Sequence, residues 1–273
     1  TSVINSNVTK IKQVQDSLKS RGIDLIVVFA PGKASFEPEL IPDSYISNKK
    51  DSTNYGLYRE LFSVNKINFL DLNAYFSNNR KSFEHKVFPR YGAHWNHYGM
   101  CIGLDTLLRY IENMQKKNLA DFDFSDIEYS KDLKNNDFDI GILMNTLIPI
   151  EKDSNPYPKY KIQEDNKTEL LDVLVVGDSY WWCITGENLP SKFFKNDEYW
   201  FYNQQQLVNN TKKAKTKELN FFESVRSRDV IVIISCEATY HLFPFGFIDK
   251  AHTFFCENHN KELDNIIKNI YSN

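Results

Sequence analysis

A short block in the second half of this 273-residue sequence could supply a nucleophile. Residues 177–179 read Gly-Asp-Ser and directly follow the apolar run Val173–Val176. Hydrolases hold an exposed serine on such a tight turn after a strand, where neighbouring backbone N–H groups can receive an oxyanion. Gly-Asp-Ser is also a common polar turn that caps a helix. The block therefore indicates nucleophilic chemistry only if a base lies beside it.

A second block could supply that base. Residues 90–99 read Arg-Tyr-Gly-Ala-His-Trp-Asn-His-Tyr-Gly and contain two imidazoles. A serine hydroxyl is a poor nucleophile at neutral pH, so it needs an adjacent base and donors for the oxyanion. We consider the backbone N–H of Ser179 and the side chain of Asn203 as donors, and Tyr202 as a residue that lines the acceptor site. The spacing His94-x-x-His97 does not fit a zinc site, which on a helix uses a spacing of four and a third ligand.

Apolar periodicity predicts the elements that must position these blocks. It predicts helices over residues 3–21, 53–64, 96–117 and 259–271, and strands over residues 24–30, 67–72, 173–176 and 230–235. Strands that alternate with helices predict an α/β fold, a three-layer sandwich with a mainly parallel, doubly wound sheet. Ligands bind beyond the carboxyl ends of such strands. The polar residues that follow the strands, including Lys33, Asp71, Ser179 and Glu237, are therefore expected near the site.

The domain organisation follows from what lies between the apolar runs. Residues 118–168 are acidic and polar, and residues 186–225 contain an aromatic-rich stretch. No internal repeat or clean linker divides the chain. We predict one domain over residues 1–273, with irregular inserts near 118–168 and 186–225.

Composition excludes several classes of protein. With 41% hydrophobic and 14% aromatic residues the chain can bury a large core, which excludes intrinsic disorder. The net charge of −3 provides no basic field, so nucleic acid is not an expected partner. No apolar run reaches the roughly 20 residues that span a bilayer. The four cysteines lie far apart without a Cys-x-x-Cys pair; free thiols are expected, and one or two disulfides stay open as the alternative.

The two blocks together resemble a known family. Their order, with histidine before serine, is the reverse of ordinary SGNH enzymes and resembles the circularly permuted, SGNH-hydrolase-like domain of the alginate O-acetyltransferase (AlgJ/AlgX-like) family. The resemblance covers nearly the whole chain. Its supporting segments are residues 31–33, 37–42, 92–99, 176–179, 200–203 and 235–237.

The resemblance implies acyl transfer without a cofactor or metal. Ser179 would take an acetyl group, and His94 would remove the serine proton and later activate the acceptor. A sugar hydroxyl as acceptor gives O-acetylation of an exported or cell-surface polysaccharide, whereas water gives a carbohydrate acetylesterase. By the same analogy the protein is exported to the periplasm or cell surface, with an export signal or anchor removed before Thr1. A separate membrane-bound O-acyltransferase would deliver the acetyl group.

The resemblance also marks further candidate residues around the serine and the histidine. The candidates for oxyanion or substrate binding are Asp178, Tyr202, Asn203, Trp95, Lys33 and Arg90.

The chain departs from the family at one important position. The family pattern is Asp-x-His-Trp, in which the aspartate orients the imidazole, but this chain has Gly92 at that place. Loss of the orienting carboxylate from a serine triad costs on the order of 10⁴ in turnover. Three interpretations stay open: a backbone carbonyl orients His94, a carboxylate elsewhere such as Glu237 or Asp71 does so, or the protein is a catalytically degenerate relative that binds polysaccharide.

Overall fold

The computed structural model describes residues 2–46, 53–134 and 136–257. Within these residues the strands are β1 Asp24–Phe29, β2 Phe69–Asp71, β3 Asp121–Ser130, β4 Asn155–Gln163, β5 Val173–Gly177, β6 Glu198–Phe201, β7 Gln205–Val208, β8 Thr211–Lys215 and β9 Val230–Ser235. The α-helices are α1 Ser2–Lys19, α2 Lys33–Phe36, α3 Asp43–Ile46, α4 Asn54–Val64, α5 Leu72–Asn78, α6 His97–Gln115, α7 Asp139–Leu143, α8 Trp182–Gly186, α9 Pro190–Phe193, α10 Phe221–Arg226 and α11 Phe247–His252. The predicted helix over 259–271 lies outside the described residues.

A seven-stranded sheet in the order β2-β1-β9-β5-β6-β7-β8 forms the centre of the fold. The strands from β2 to β6 pair in parallel, whereas β7 and β8 extend the sheet in antiparallel fashion. Strand β9 lies between β1 and β5, which come before it in the chain. The prediction of a mainly parallel sheet is confirmed, and the turns after β1, β5 and β9 meet at one edge.

Helices cover both faces of this sheet. In β1, Ile26 and Val28 face one side, where they pack in a core with α5 and α6. Leu25, Val27 and Phe29 face the other side, where they join a core with α1, α4 and α11. A strand that is buried on both faces has a continuous aliphatic sequence, which is why these strands are visible in the sequence. The predicted three-layer sandwich is confirmed.

The two stretches that we expected to be irregular contain regular strands. Residues 118–168 include the antiparallel pair β3–β4, and residues 186–225 contribute β6, β7 and β8 to the main sheet. In β3, Phe122 is buried while Asp121 and Ser125 are exposed. A strand with a solvated face has alternating polar residues rather than an apolar run. The polar composition therefore concealed these strands, and the prediction of irregular inserts was wrong on this point.

Among the described residues, no helix is both long and apolar enough to cross a bilayer.

Candidate active site

The turn after β5 holds Ser179 at the edge of the sheet. Gly177 is required there, because a Cβ at this position would lie 2.6 Å from the backbone oxygen of Ile234 on the neighbouring strand. Asp178 is fully buried, and its carboxylate accepts hydrogen bonds from the backbone N–H of Tyr180 (3.1 Å) and of Cys236 (2.8 Å). Asp178, a predicted substrate-binding candidate, therefore ties the nucleophile turn to the turn after β9 and does not face the site.

The loop before α6 holds His94. Asn96 caps the helix by accepting a hydrogen bond from the backbone N–H of Gly99 (2.9 Å), and its amide donates to the backbone oxygen of Lys86 (2.7 Å). Trp95 is 1% exposed and packs edge-on against Tyr180, with ring centroids 5.3 Å apart. Trp95 is thus a core residue that anchors the loop, which corrects its prediction as a substrate-binding candidate.

A continuous chain of hydrogen bonds joins Ser179, His94 and Asp139. Nε2 of His94 lies 2.7 Å from Oγ of Ser179, and Nδ1 lies 2.9 Å from Oδ2 of Asp139. The side chains of His94 and Asp139 are 13% and 25% exposed. Burial by itself would raise the pKa of Asp139, but hydrogen bonds from His94 and the Ala93 N–H outweigh it and hold that pKa below its usual range. The arrangement is that of a serine triad, which is defined by geometry and not by sequence position.

The carboxylate comes from the region that we expected to be irregular. Asp139 begins α7, and its Oδ1 accepts the backbone N–H groups of Ala93 (2.9 Å) and Ile140 (2.7 Å). The backbone N–H of Gly141 donates to the backbone oxygen of Tyr91 (3.0 Å). Residues 139–141 are therefore fastened directly to the loop that carries His94.

Neither carboxylate that we proposed as the orienting group lies on His94. Glu237 accepts a hydrogen bond from Oγ of Ser35 (2.6 Å). Asp71 caps α5 through the N–H of Ala74 (2.8 Å) and pairs with Arg59 (2.9 Å). The carboxylate of Asp71 therefore bonds groups near the end of β2 and not His94. The prediction that Glu237 or Asp71 orients His94 was wrong, and Asp139 takes this position.

Lys33 fastens the first strand end to the histidine loop. Its Nζ donates to three backbone oxygens, those of Pro89 (2.5 Å), Arg90 (2.8 Å) and Gly92 (3.0 Å). Burial lowers the pKa of Lys33, partly opposed by the charges of Glu37 and Asp139. The ammonium group is occupied by the protein itself, so it orders the loop and is not free to bind an anionic substrate.

We expect Lys33→Met to lower the free energy of unfolding by about 1.5–3 kcal/mol, the usual range for hydrogen bonds from a charged donor. The loss arises because three backbone oxygens of the histidine loop would lose their partner. Urea unfolding measures it. Lys81→Met, at an exposed position, serves as the matched control and should change stability by less than about 0.5 kcal/mol. Equal effects of the two substitutions would contradict the role given to Lys33.

A cavity of about 820 Å³ opens onto Ser179 and His94. Arg90, Tyr202 and Glu237, all predicted site residues, line it. Burial raises the pKa of the Tyr202 phenol, and its interaction with Ser179 opposes this rise only in part. Much of the remaining wall is apolar, formed by Ala34, Leu40, Ile41, Pro42, Tyr45, Ile140 and Ala238. A cavity of this volume can hold a small molecule or the terminal units of an oligomeric ligand.

Asn203 does not face the cavity in the way an oxyanion donor must. It is 8% exposed, and its Nδ2 donates to the backbone oxygen of Phe245 (3.2 Å). The prediction that its amide supplies an oxyanion donor is therefore corrected. The backbone N–H of Ser179 makes no hydrogen bond within the described part of the chain and stays available for this task.

The comparison with protein families decides the family of this chain. The family model described as "SGNH hydrolase-like domain, acetyltransferase AlgX" matches residues 2–181, which include both blocks of the site. The chain belongs to this family. The resemblance seen in the sequence is thereby confirmed, and SGNH-like acetyltransferases are the class of enzyme to which it is related. No curated protein matches the chain by sequence.

Solved structures show that the AlgX-family fold extends over the rest of the chain. The O-acetyltransferase domain of Pseudomonas putida AlgJ is 15% identical, with a TM-score of 0.54 over 93% of this chain and 92% of that one. Pseudomonas aeruginosa AlgX is 12% identical, with a TM-score of 0.53 over 89% of this chain and 61% of that one. Bacillus cereus PatB1 is 12% identical, with a TM-score of 0.55 over 87% and 90%. At these identities the likeness shows the fold.

Proposed function

We propose that the protein transfers an acetyl group through Ser179 to a hydroxyl of an exported or cell-surface polysaccharide. The observation that carries this proposal is the chain of hydrogen bonds from Asp139 through His94 to Ser179 at the edge of an open cavity. A hydroxyl that donates to an imidazole, which in turn is held by a carboxylate, is prepared for nucleophilic attack on an ester. Because Asp139 lies where it can orient His94, the absence of an aspartate at position 92 does not speak against this proposal.

The first half-reaction forms an acetyl-serine. Oγ of Ser179 attacks the carbonyl carbon of the donor ester while Nε2 of His94 takes the serine proton. The carbonyl oxygen becomes an oxyanion, for which the backbone N–H of Ser179 is the donor at hand. The C–O bond to the leaving alcohol then breaks, and His94 returns the proton to that alcohol. Asp139 stabilises the imidazolium that exists between these two proton transfers.

The second half-reaction releases the acetyl group to an acceptor. The acceptor hydroxyl gives its proton to His94 and attacks the acetyl carbonyl carbon. The bond to Oγ of Ser179 breaks, and the serine recovers its proton from His94. Tyr202 and Arg90 line the same cavity, which supports them as candidates to contact the acceptor. Water in the same role would make the protein an esterase.

A relative supports the reaction class. The Pseudomonas putida AlgJ structure is that of an O-acetyltransferase domain, and by analogy we assign the same reaction class here. The proposal also includes the sugar acceptor, export of the protein and a membrane-bound O-acyltransferase as the source of acetyl groups, which follow from the family resemblance of the sequence. The near-neutral charge of the chain suits an uncharged or weakly charged polymer better than a strongly anionic one.

The proposal is tested by intact-mass measurement. Incubation with an activated acetyl ester should add one acetyl group to the wild-type protein and none to Ser179→Ala. Oligosaccharide acceptors then discriminate between the products: acetylated sugar supports the transferase, whereas free acetate alone supports the esterase. If neither acetyl-enzyme nor ester turnover rises above the Ser179→Ala level, the proposal is wrong and a polysaccharide-binding role replaces it.

A further inference from the structure

A buried ionic cluster lies directly behind the candidate site. His97 is 2% exposed, and its Nε2 lies 3.0 Å from Oε1 of Glu187, which follows α8. Its Nδ1 lies 3.6 Å from Oδ2 of Asp137, which is 3% exposed. Buried charges are retained only when they are paired. The imidazole is therefore held between two carboxylates from separate segments of the chain.

The cluster is connected through the chain to two members of the triad, His94 and Asp139. His97 begins α6, three residues after His94, while Asp137 lies two residues before Asp139. The backbone N–H of Asp139 donates to the backbone oxygen of Asn136 (3.4 Å), so the turn between the two aspartates is short and hydrogen-bonded. A shift of Asp137 away from His97 would therefore move Asp139 as well.

Other groups surround His97 without replacing its two carboxylate partners. Tyr157 of β4 donates its hydroxyl to Asp137, and its ring lies 4.8 Å from the imidazole between centroids. The backbone N–H of Lys134 donates to that hydroxyl (3.0 Å). Tyr160 also interacts with Glu187 and with Cys101, and the hydrogen bond from His97, helped by the positive charge of Lys134, lowers the pKa of Glu187.

We propose that His97 is a positioning residue of this site: it clamps the segment that carries Asp139, so that removing its charge releases Asp139 from His94. The proposal rests on the proposed function, since it assigns His97 to the same reaction. His97 touches neither substrate nor Ser179 and acts only through Asp139. Residues that orient metal ligands through a hydrogen bond are worth about 10–100-fold in affinity or activity, and we expect an effect of the same order for a residue that orients Asp139.

The clamp has a defined pH dependence. Burial by itself would lower the pKa of His97, but hydrogen bonds to Asp137 and Glu187 outweigh it, and the pKa is raised. A raised pKa means that the clamp is complete below the ordinary histidine value of about 6.5 and is lost as the pH rises through the value in the folded protein. Activity should therefore decline on the alkaline side as the clamp opens.

A double-mutant cycle tests the proposal with an activated acetyl ester as substrate. In the wild-type background His97→Gln should lower kcat by about 10–100-fold with KM nearly unchanged. In an Asp139→Asn background the same substitution should lower kcat by less than about threefold, because the residue through which His97 acts is already disabled. His85→Gln, at a partly exposed histidine that lies 3.0 Å from the Tyr129 hydroxyl of β3 and contacts no member of the triad, is the matched control. An equal loss in both backgrounds would overturn the proposal.

A milder variant checks the pH dependence in case His97→Gln fails to fold. Glu187→Gln leaves the imidazole in place and removes a carboxylate that raises its pKa, so the alkaline decline of kcat should move to lower pH. An unmoved decline counts against the clamp.

A measurement that needs no turnover separates this proposal from the proposed function. The proton on Nδ1 of His94, held by Asp139, should give a far-downfield NMR signal in protein labelled with ¹⁵N-histidine. His97→Gln should weaken or abolish that signal, and His85→Gln should not. If the wild type turns over no ester above Ser179→Ala, the proposed function fails while the signal still decides the role of His97. A signal unchanged by His97→Gln overturns the proposal.

Discussion

Asp139→Asn is expected to lower kcat for an acyl ester by about 10⁴-fold, the loss seen when the orienting carboxylate of a serine triad becomes an amide. The amide keeps the size of the side chain, so the fold and the cavity should persist. It can however donate a hydrogen bond to Nδ1 of His94, which leaves the proton on Nε2. An imidazole in that tautomer cannot accept the proton of Ser179, 2.7 Å away.

The prediction is checked by steady-state kinetics against the Ser179→Ala background rate. Asp132→Asn is the matched control, because Asp132 is an exposed aspartate of the same insert and should leave kcat unchanged. Urea unfolding of both variants separates a chemical effect from loss of structure. If Asp139→Asn retained more than about a tenth of the wild-type kcat, the Ser–His dyad, with His94 oriented by a backbone carbonyl, would be the better description.

The fold was largely predictable because its central strands are buried on both faces. The runs in β1, β5 and β9 are continuous aliphatic segments that need no alignment to be recognised. Tight turns after such strands also pointed to Ser179. His94 could be found because an asparagine and a glycine mark the beginning of α6 directly after it. Local signals of this kind can be recognised in one sequence without an alignment.

The third member of the site could not be predicted in the same way. Asp139 lies 45 residues from His94 in the chain, on a five-residue helix within a hairpin whose strands have a solvated face. Its one sequence signal, an acidic residue ahead of the apolar stretch Ile140–Met144, is shared by many helix beginnings. The contact depends on long-range packing of the insert onto the histidine loop. The oxyanion role predicted for Asn203 was wrong for the same reason. Its position next to Tyr202 in the chain does not reveal that its amide bonds the backbone oxygen of Phe245.

Packing also explains why Gly92 and Asp139 occur together. A Cβ at Gly92 would lie 2.5 Å from Cγ of Pro89 and 2.6 Å from the backbone oxygen of Asn136. The backbone of the insert thus occupies the space that a side chain at this position would need. The insert whose backbone leaves no room for a side chain at position 92 is also the segment that supplies the carboxylate of Asp139.

Gly92→Asp is therefore expected to damage the site although it restores the family motif. The new side chain must push the insert away, and overpacking of this kind costs about 1–3 kcal/mol of stability. Because Asn136 and Asp139 belong to the same short segment, the displacement should also withdraw the carboxylate from His94 and reduce kcat to the level of Asp139→Asn. Urea unfolding and ester turnover measure the two effects.

The decisive comparison is the double variant Gly92→Asp/Asp139→Ala. If the new aspartate is held against the displaced insert backbone and does not reach His94, the double variant should be as inactive as Asp139→Ala alone. Gly56→Asp is the matched control, since a Cβ at that exposed position meets nothing closer than Oγ1 of Thr53 at 3.5 Å. Recovery of kcat to within about tenfold of wild type would contradict this and show that an aspartate at position 92 can orient His94 in this fold. The two carboxylate positions would then be interchangeable and not mutually exclusive.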